Sequence, residues 1–157
     1  MSTPRDLFLI AGIPGTGKTW YGDKFARDFG FLHRDLENQD TLKRLANDPP
    51  RFIDELKRQN QNVIVTWGFV PDGDQTAMVL QLKSAGFKLI WFDGNRPAAL
   101  REFIKRGTVP EEMFYLQMYR IQSTQVVRAI GPVIVDPFDT QGKFKPAEEL
   151  LAELRRV

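Results

Sequence analysis

Three observations predict an α/β fold built on a parallel sheet. Five short β-rich runs alternate with helical patterns along the 157 residues, the order that builds parallel strands through right-handed crossovers. The first run leads into Gly12-Ile13-Pro14-Gly15-Thr16-Gly17-Lys18-Thr19, so strand, glycine-rich loop and helix occur in sequence. Hydrophobic residues make up 42% and charged residues 27%, a globular balance in a chain long enough for one domain, residues 1–157, with a sizeable core.

Each element has a local reason. Leu7-Phe8-Leu9-Ile10-Ala11 is a continuous apolar run, as a strand covered on both faces requires. Tyr21, Phe25 and Phe29 then recur at i, i+4 and i+8, predicting a helix that Gly30 caps. Residues Phe31 to Asp35 form a second strand ending on a charge. Residues 38–61 read as one or two short helices, with Asp48-Pro49-Pro50 as a start signal and Phe52, Ile53 and Leu56 on one face. Val63 to Trp67 is the third strand. Asp72 to Ala85 fits a helix with Met78, Val79, Leu82 and Ala85 inward and Gly86 at its end.

Lys88 to Asp93 is the fourth strand, and Asn95-Arg96-Pro97 opens a helix with Leu100, Phe103 and Ile104 inward that Gly107 breaks. Thr108-Val109-Pro110-Glu111 has capping-box spacing and predicts one long helix to about Ala129. Val133 to Asp136 is the fifth strand. Pro146 starts a last amphipathic helix with Ala147, Leu150, Leu151 and Leu154 inward.

The Gly12–Thr19 spacing, G-x-x-x-x-G-K-[ST], is that of a phosphate-binding loop. Glycines remove the Cβ atoms that would keep backbone N–H groups away from clustered phosphate oxygens. The following helix adds its unpaired N-terminal N–H groups and positive dipole end. Gly12, Pro14, Gly15, Thr16, Gly17, Lys18 and Thr19 are therefore the nucleotide-binding set. Lys18 carries a cation to the β- and γ-phosphates, and the Thr19 hydroxyl is a ligand for Mg²⁺.

Ligands of parallel sheets collect at the carboxyl ends of the strands, which puts Asp35 on the edge of the loop, with Glu37 two residues on. A carboxylate there serves as base, metal ligand or acceptor anchor, or merely caps the next helix. Residues 36–61 are either an acceptor-binding segment or only the crossover between strands. Trp67 and Phe69 either stack on a planar acceptor or fill the core. The third strand ends in Thr66, Trp67 and Gly68, with no acid of the Walker B kind.

Composition narrows the rest. Without cysteine, disulfides, thiol catalysis and zinc–cysteine sites are excluded, and the single histidine, His33, excludes a multi-histidine metal site. A net charge of +2 is too small to argue for nucleic acid by itself. No apolar run is long enough to span a membrane and no signal peptide is evident, so a cytoplasmic protein is expected.

On Gly12–Thr19, Asp35-Leu36-Glu37 and the stretch Lys88 to Gly107, the chain resembles the small P-loop kinases of the shikimate, gluconate, adenylate and polynucleotide kinase group. That resemblance implies sheet order 2-3-1-4-5, ATP as donor and Mg²⁺ as metal. It makes Asp35 similar to the first acid of an Asp-x-Asp pair, with Glu37 in place of the second. Arg106 sits where these kinases carry a lid arginine, in a short lid region of about residues 105–120. Arg120 resembles the arginine on the following helix, and Arg101 is a weaker candidate. The segment at Asp136-Pro137-Phe138 matches the loop that borders adenine.

The expected activity is transfer of the γ-phosphoryl group to a hydroxyl of a small-molecule acceptor. Lys18, Asp35, Arg106 and Arg120 are the expected catalytic residues, and Thr19 and Asp35 the metal ligands. The chain is expected to act as a monomer or homodimer. A polynucleotide 5′-hydroxyl kinase and a nucleotide-binding switch with little catalysis are the alternatives.

Overall fold

The structure, a computed structural model, describes residues 4–69 and 71–157. Five parallel strands, β1 (Leu7–Gly12), β2 (Leu32–Asp35), β3 (Val63–Thr66), β4 (Lys88–Phe92) and β5 (Val133–Val135), form one sheet in the order β2-β3-β1-β4-β5. The expected order 2-3-1-4-5 is the observed one. Strand side chains alternate between faces, so each strand supplies two cores. Leu9, Val63, Val65, Leu89 and Trp91 face one way, while Phe8, Ile10, Ile64, Ile90 and Phe92 face the other.

The second face is covered by α1 (Lys18–Phe29) and the C-terminal α8 (Ala147–Arg156). The first is covered by α2 (Gln39–Asn47), α3 (Pro49–Arg58), α4 (Gly73–Ser84), α5 (Arg96–Arg106), α6 (Glu112–Thr124) and α7 (Val126–Ile130). Residues 38–61 thus resolve into two helices, because Asp48 ends one and caps the next by accepting from the Arg51 N–H. Their apolar faces, Leu45, Phe52, Ile53 and Leu56, are buried in the core. Among the described residues, no helix is long and apolar enough to cross a membrane.

Three expectations are corrected. The long helix from Thr108 to Ala129 is two helices, α6 and α7, separated by Gln125 in the left-handed region at φ 53°. The Ser123 and Thr124 hydroxyls both donate back to the Arg120 carbonyl, at 3.4 and 2.6 Å, and so compete with the backbone ladder near the break. The Thr108 capping box does not start α6, which begins only at Glu112 without a side-chain cap. A proline disfavours helical backbone in the residue before it, so Val109 cannot join a helix through Pro110. Ile104, expected inward, is 47% exposed, and Phe29 lies half out at the last turn of α1.

Candidate functional site

β1 ends at Gly12, and the loop turns over the carboxyl end of the sheet into α1. Gly15 has φ +80°, and the Ala99 carbonyl oxygen of α5 lies against the place a Cβ would take, so only glycine fits. The buried Thr16 hydroxyl donates to the Ile13 carbonyl at 2.8 Å and holds the loop closed. Gly17, the N-cap of α1, supplies no side-chain cap, and the first turn carries no acid. The N-terminal N–H groups of α1 are therefore available to an anion.

Lys18 reaches back over this loop, its Nζ donating to the Ile13 carbonyl at 3.0 Å. Burial pulls its pKa down from 10.5 to about 8. The Glu37 and Asp35 carboxylates oppose that shift and Arg106 adds to it. Phosphate oxygens at the loop would raise the pKa again by adding negative charge beside the ammonium.

Asp35, the last residue of β2, is tied to the loop from the other side. Its carboxylate accepts from the Thr19 hydroxyl at 3.1 Å and from the Glu37 N–H at 3.0 Å. Two hard oxygen donors at this distance fit the ligand preference of Mg²⁺. Among the described residues there is no cluster of three or more acidic or histidine side chains that would hold a metal without other oxygen ligands. Beside Asp35 in the sheet register stands Thr66, fully buried, where an acidic strand end would otherwise lie. Its hydroxyl is 2.7 Å from His33 Nε2, whose Nδ1 is 2.9 Å from Asp23. His33 is thus a strand residue linking α1 to β3.

Two cavities meet at the loop. The inner one, about 230 Å³, is bordered by the Gly12–Thr19 loop, Glu37, Gly68, Arg106 and Arg120, with a wall of apolar side chains beyond. The outer one, about 300 Å³, is bordered by Gly15, Gly17, Lys18, Thr19 and Arg106 together with Trp20, Glu102 and Phe144. Trp20 and Phe144 stack at 5.6 Å between ring centroids. Phe144 belongs to the β5–α8 loop, which the buried Tyr21 hydroxyl anchors by donating to the Lys145 carbonyl at 2.7 Å. Burial, first of all, pushes the Tyr21 phenol pKa up.

Of the sequence-predicted residues, the structure brings Lys18, Thr19, Arg106 and Arg120 to the inner cavity. Arg106 borders both cavities, and its guanidinium carbon lies 5.9 Å from the Phe103 ring centroid. Asp35 is not on the cavity border. Glu37 is, facing Gly68, where any Cβ would meet its carboxylate oxygen. Arg101 points elsewhere and donates to the Gly142 carbonyl at 2.7 Å, fastening the β5–α8 loop. Within 36–61 only Glu37 borders the inner cavity. Trp67 is core, whereas Phe69 borders the cavity.

Trp20, Met113, Gln117 and Phe144 were not marked by the sequence. Their chemistry is ordinary, and only the fold brings them to the loop.

No protein-family model matches the chain, and no curated protein matches it in sequence. Solved structures do resemble it. A shikimate kinase from Bacteroides thetaiotaomicron aligns with a TM-score of 0.61 and 14% identity, over 97% of this chain and 99% of that one. A gluconokinase from Sinorhizobium meliloti gives 0.55 and 16%, over 98% and 94%. A tunicamycin resistance protein from Deinococcus radiodurans gives 0.60 and 15%, over 98% and 95%. What the chain shares with them across nearly its whole length is the fold, that of the shikimate- and gluconate-kinase-like P-loop group.

Proposed function

We propose that this chain is an ATP-dependent phosphotransferase that moves the γ-phosphoryl group to a hydroxyl of a small-molecule acceptor. The observation that carries this reading is the convergence of Lys18, Glu37, Arg106 and Arg120 on one cavity at the phosphate loop. A cavity with a carboxylate at the loop suits transfer to a bound alcohol, since a base can take the proton the alcohol must lose.

ATP would lie across the loop, its phosphates on the α1 N-terminus and Lys18 and its nucleoside toward Trp20 and Phe144 in the outer cavity. Thr19 and Asp35 would hold Mg²⁺, which would offset the negative charge of the phosphates. Glu37 would accept the proton of the acceptor hydroxyl. As the acceptor's oxygen bonds to the γ-phosphorus, the bond to the β,γ-bridging oxygen breaks and ADP leaves with that electron pair. Arg106 and Arg120 would stabilise charge on the transferring oxygens. The two carboxylates of Asp35-Leu36-Glu37 thus divide the work: metal for the first, proton for the second.

The test is ADP formation across a panel of acceptors, with Lys18→Ala as the inactive control. Glu37→Gln should lower turnover by roughly 10²–10⁴-fold with little change in Mg-ATP affinity. Asp35→Asn should raise the Mg²⁺ concentration needed for half-maximal rate. Equal Mg²⁺ requirements in the two variants would refute this division. Failure of the intact chain to bind Mg-ATP would refute the kinase reading itself.

A further inference from the structure

Beyond the groups assigned to phosphoryl transfer, the inner cavity offers little to a hydroxyl-rich molecule. Its wall is built from Phe69 on the β3–α4 connection, Trp91 of β4, Phe103 of α5, Val109, and Met113 and Ile121 of α6. These come from separate elements, so the wall is a product of the fold and not of one greasy helix. Phe69 meets Trp91 edge-on at 6.3 Å and Trp67 at 5.5 Å, while Phe103 packs edge-on against Phe114 at 5.6 Å. The rings are therefore braced from behind and hold their shape. Besides the phosphate loop and the transfer groups, the polar side-chain groups bordering the cavity among the described residues are the Gln117 amide and the indole N–H of Trp91, which is buried without a partner.

A polyol or sugar acid with several hydroxyls needs a partner for each one, and a buried hydroxyl without a partner forfeits its hydration. One amide and one indole N–H cannot serve three or four hydroxyls, whereas a single hydroxyl or ring substituent can be met by them. An aromatic ring asks for the opposite: apolar area and ring edges, which this wall supplies. Apolar cavities of about 150 Å³ already take up benzene. The cavity's volume of about 230 Å³ includes the space over the phosphate loop, so with phosphates bound what is left along the apolar wall suits a body of about one ring with its hydroxyl toward Glu37.

We infer that the acceptor is an alcohol carried on a single aromatic ring or an apolar body of similar size, and not a polyol or sugar acid. The inference rests on the kinase reading of the site, and names the acceptor class for it.

The experiment measures binding and not turnover, so that the two readings fail separately. The full chain with saturating Mg-ADP is titrated by calorimetry or ligand-observed NMR with benzyl alcohol, phenylethanol and tyrosol. Gluconate, shikimate and sorbitol are titrated in parallel. The aromatic alcohols should bind at least about tenfold more tightly than the polar set. Met113→Gln, which keeps the side-chain length but puts an amide into the wall, should reduce that preference several-fold. A thermal melt of this variant checks that it is folded. Tighter binding of the polar set, or binding of neither set while Mg-ADP is bound, overturns the acceptor class and leaves the kinase reading standing. Absence of Mg-ADP binding strikes the kinase reading instead.

Discussion

Lys18 shows what one side chain in this site can report. Its pKa of about 8, lowered by burial, means that the free protein begins to lose this ammonium just above neutral pH. Bound phosphates raise the pKa, so above pH 8 binding takes up a proton and affinity must fall as pH rises, by up to about tenfold per unit. Mg-ADP titrations between about pH 7 and pH 10 should be flat at the acid end and weaken above about pH 8. Lys18→Arg should remove the bend, since guanidinium keeps its proton throughout. The sign for folding is opposite. The unfolded lysine, near 10.5, holds its proton longer than the folded one, so Lys18's contribution to stability rises between about pH 8 and 10.5. At this scale the sequence was legible where the chemistry is local, as in Gly12–Thr19. It did not tell which of Asp35 and Glu37 borders the cavity, since acids two apart at a strand end differ only in which way each points. The Thr19 hydroxyl fixes the first and Gly68 makes room for the second.

Among the elements, α6 and α7 carry a correctable strain. Gln125 holds φ 53° with its side chain exposed, where a Cβ is unwelcome and glycine is not. Gln125→Gly should stabilise the chain by about 0.5–1 kcal/mol in denaturant or thermal unfolding. A loss of stability would mean that the joint is held by the glutamine side chain. This break lay beyond the sequence because Ser123 and Thr124 are compatible with a helix interior, and only their bonds to the Arg120 carbonyl show the backbone being diverted. Strands were easier to read. Leu7–Gly12 and Lys88–Phe92 are buried on both faces and spell themselves out as apolar runs. Ile104 misled for the converse reason: the helical period marks it as inward, yet the neighbouring elements leave that flank of α5 open.

For the whole molecule, the loop joins elements from both faces of the sheet, since α5 presses on Gly15 and Phe144 lies near Gly17. Ligand bound there should stabilise the global fold and not one loop. At about 100 times its Kd, a nucleotide adds about 2.7 kcal/mol. In a chain of this size, that should raise Tm by roughly 5–10 °C. Lys18→Ala should lose most of the shift, which a melt with and without Mg-ATP reads directly. The sheet order was legible through resemblance alone, since strand patterns carry no information about which neighbour each strand takes.

β2 closes one side of the sheet, paired among the described residues with β3 alone, and its last residue is Asp35. The carboxylate proposed to hold the metal therefore rides on an edge strand, where amides open most readily. Hydrogen exchange at His33, Arg34 and Asp35 should be faster than in β1 or β4, and Mg-ATP should slow it more than nucleotide without metal. A metal held by Asp35 would then clamp the already paired outermost strand to the loop and α1, so that occupancy of the site is read out as quieter breathing at the border of the sheet.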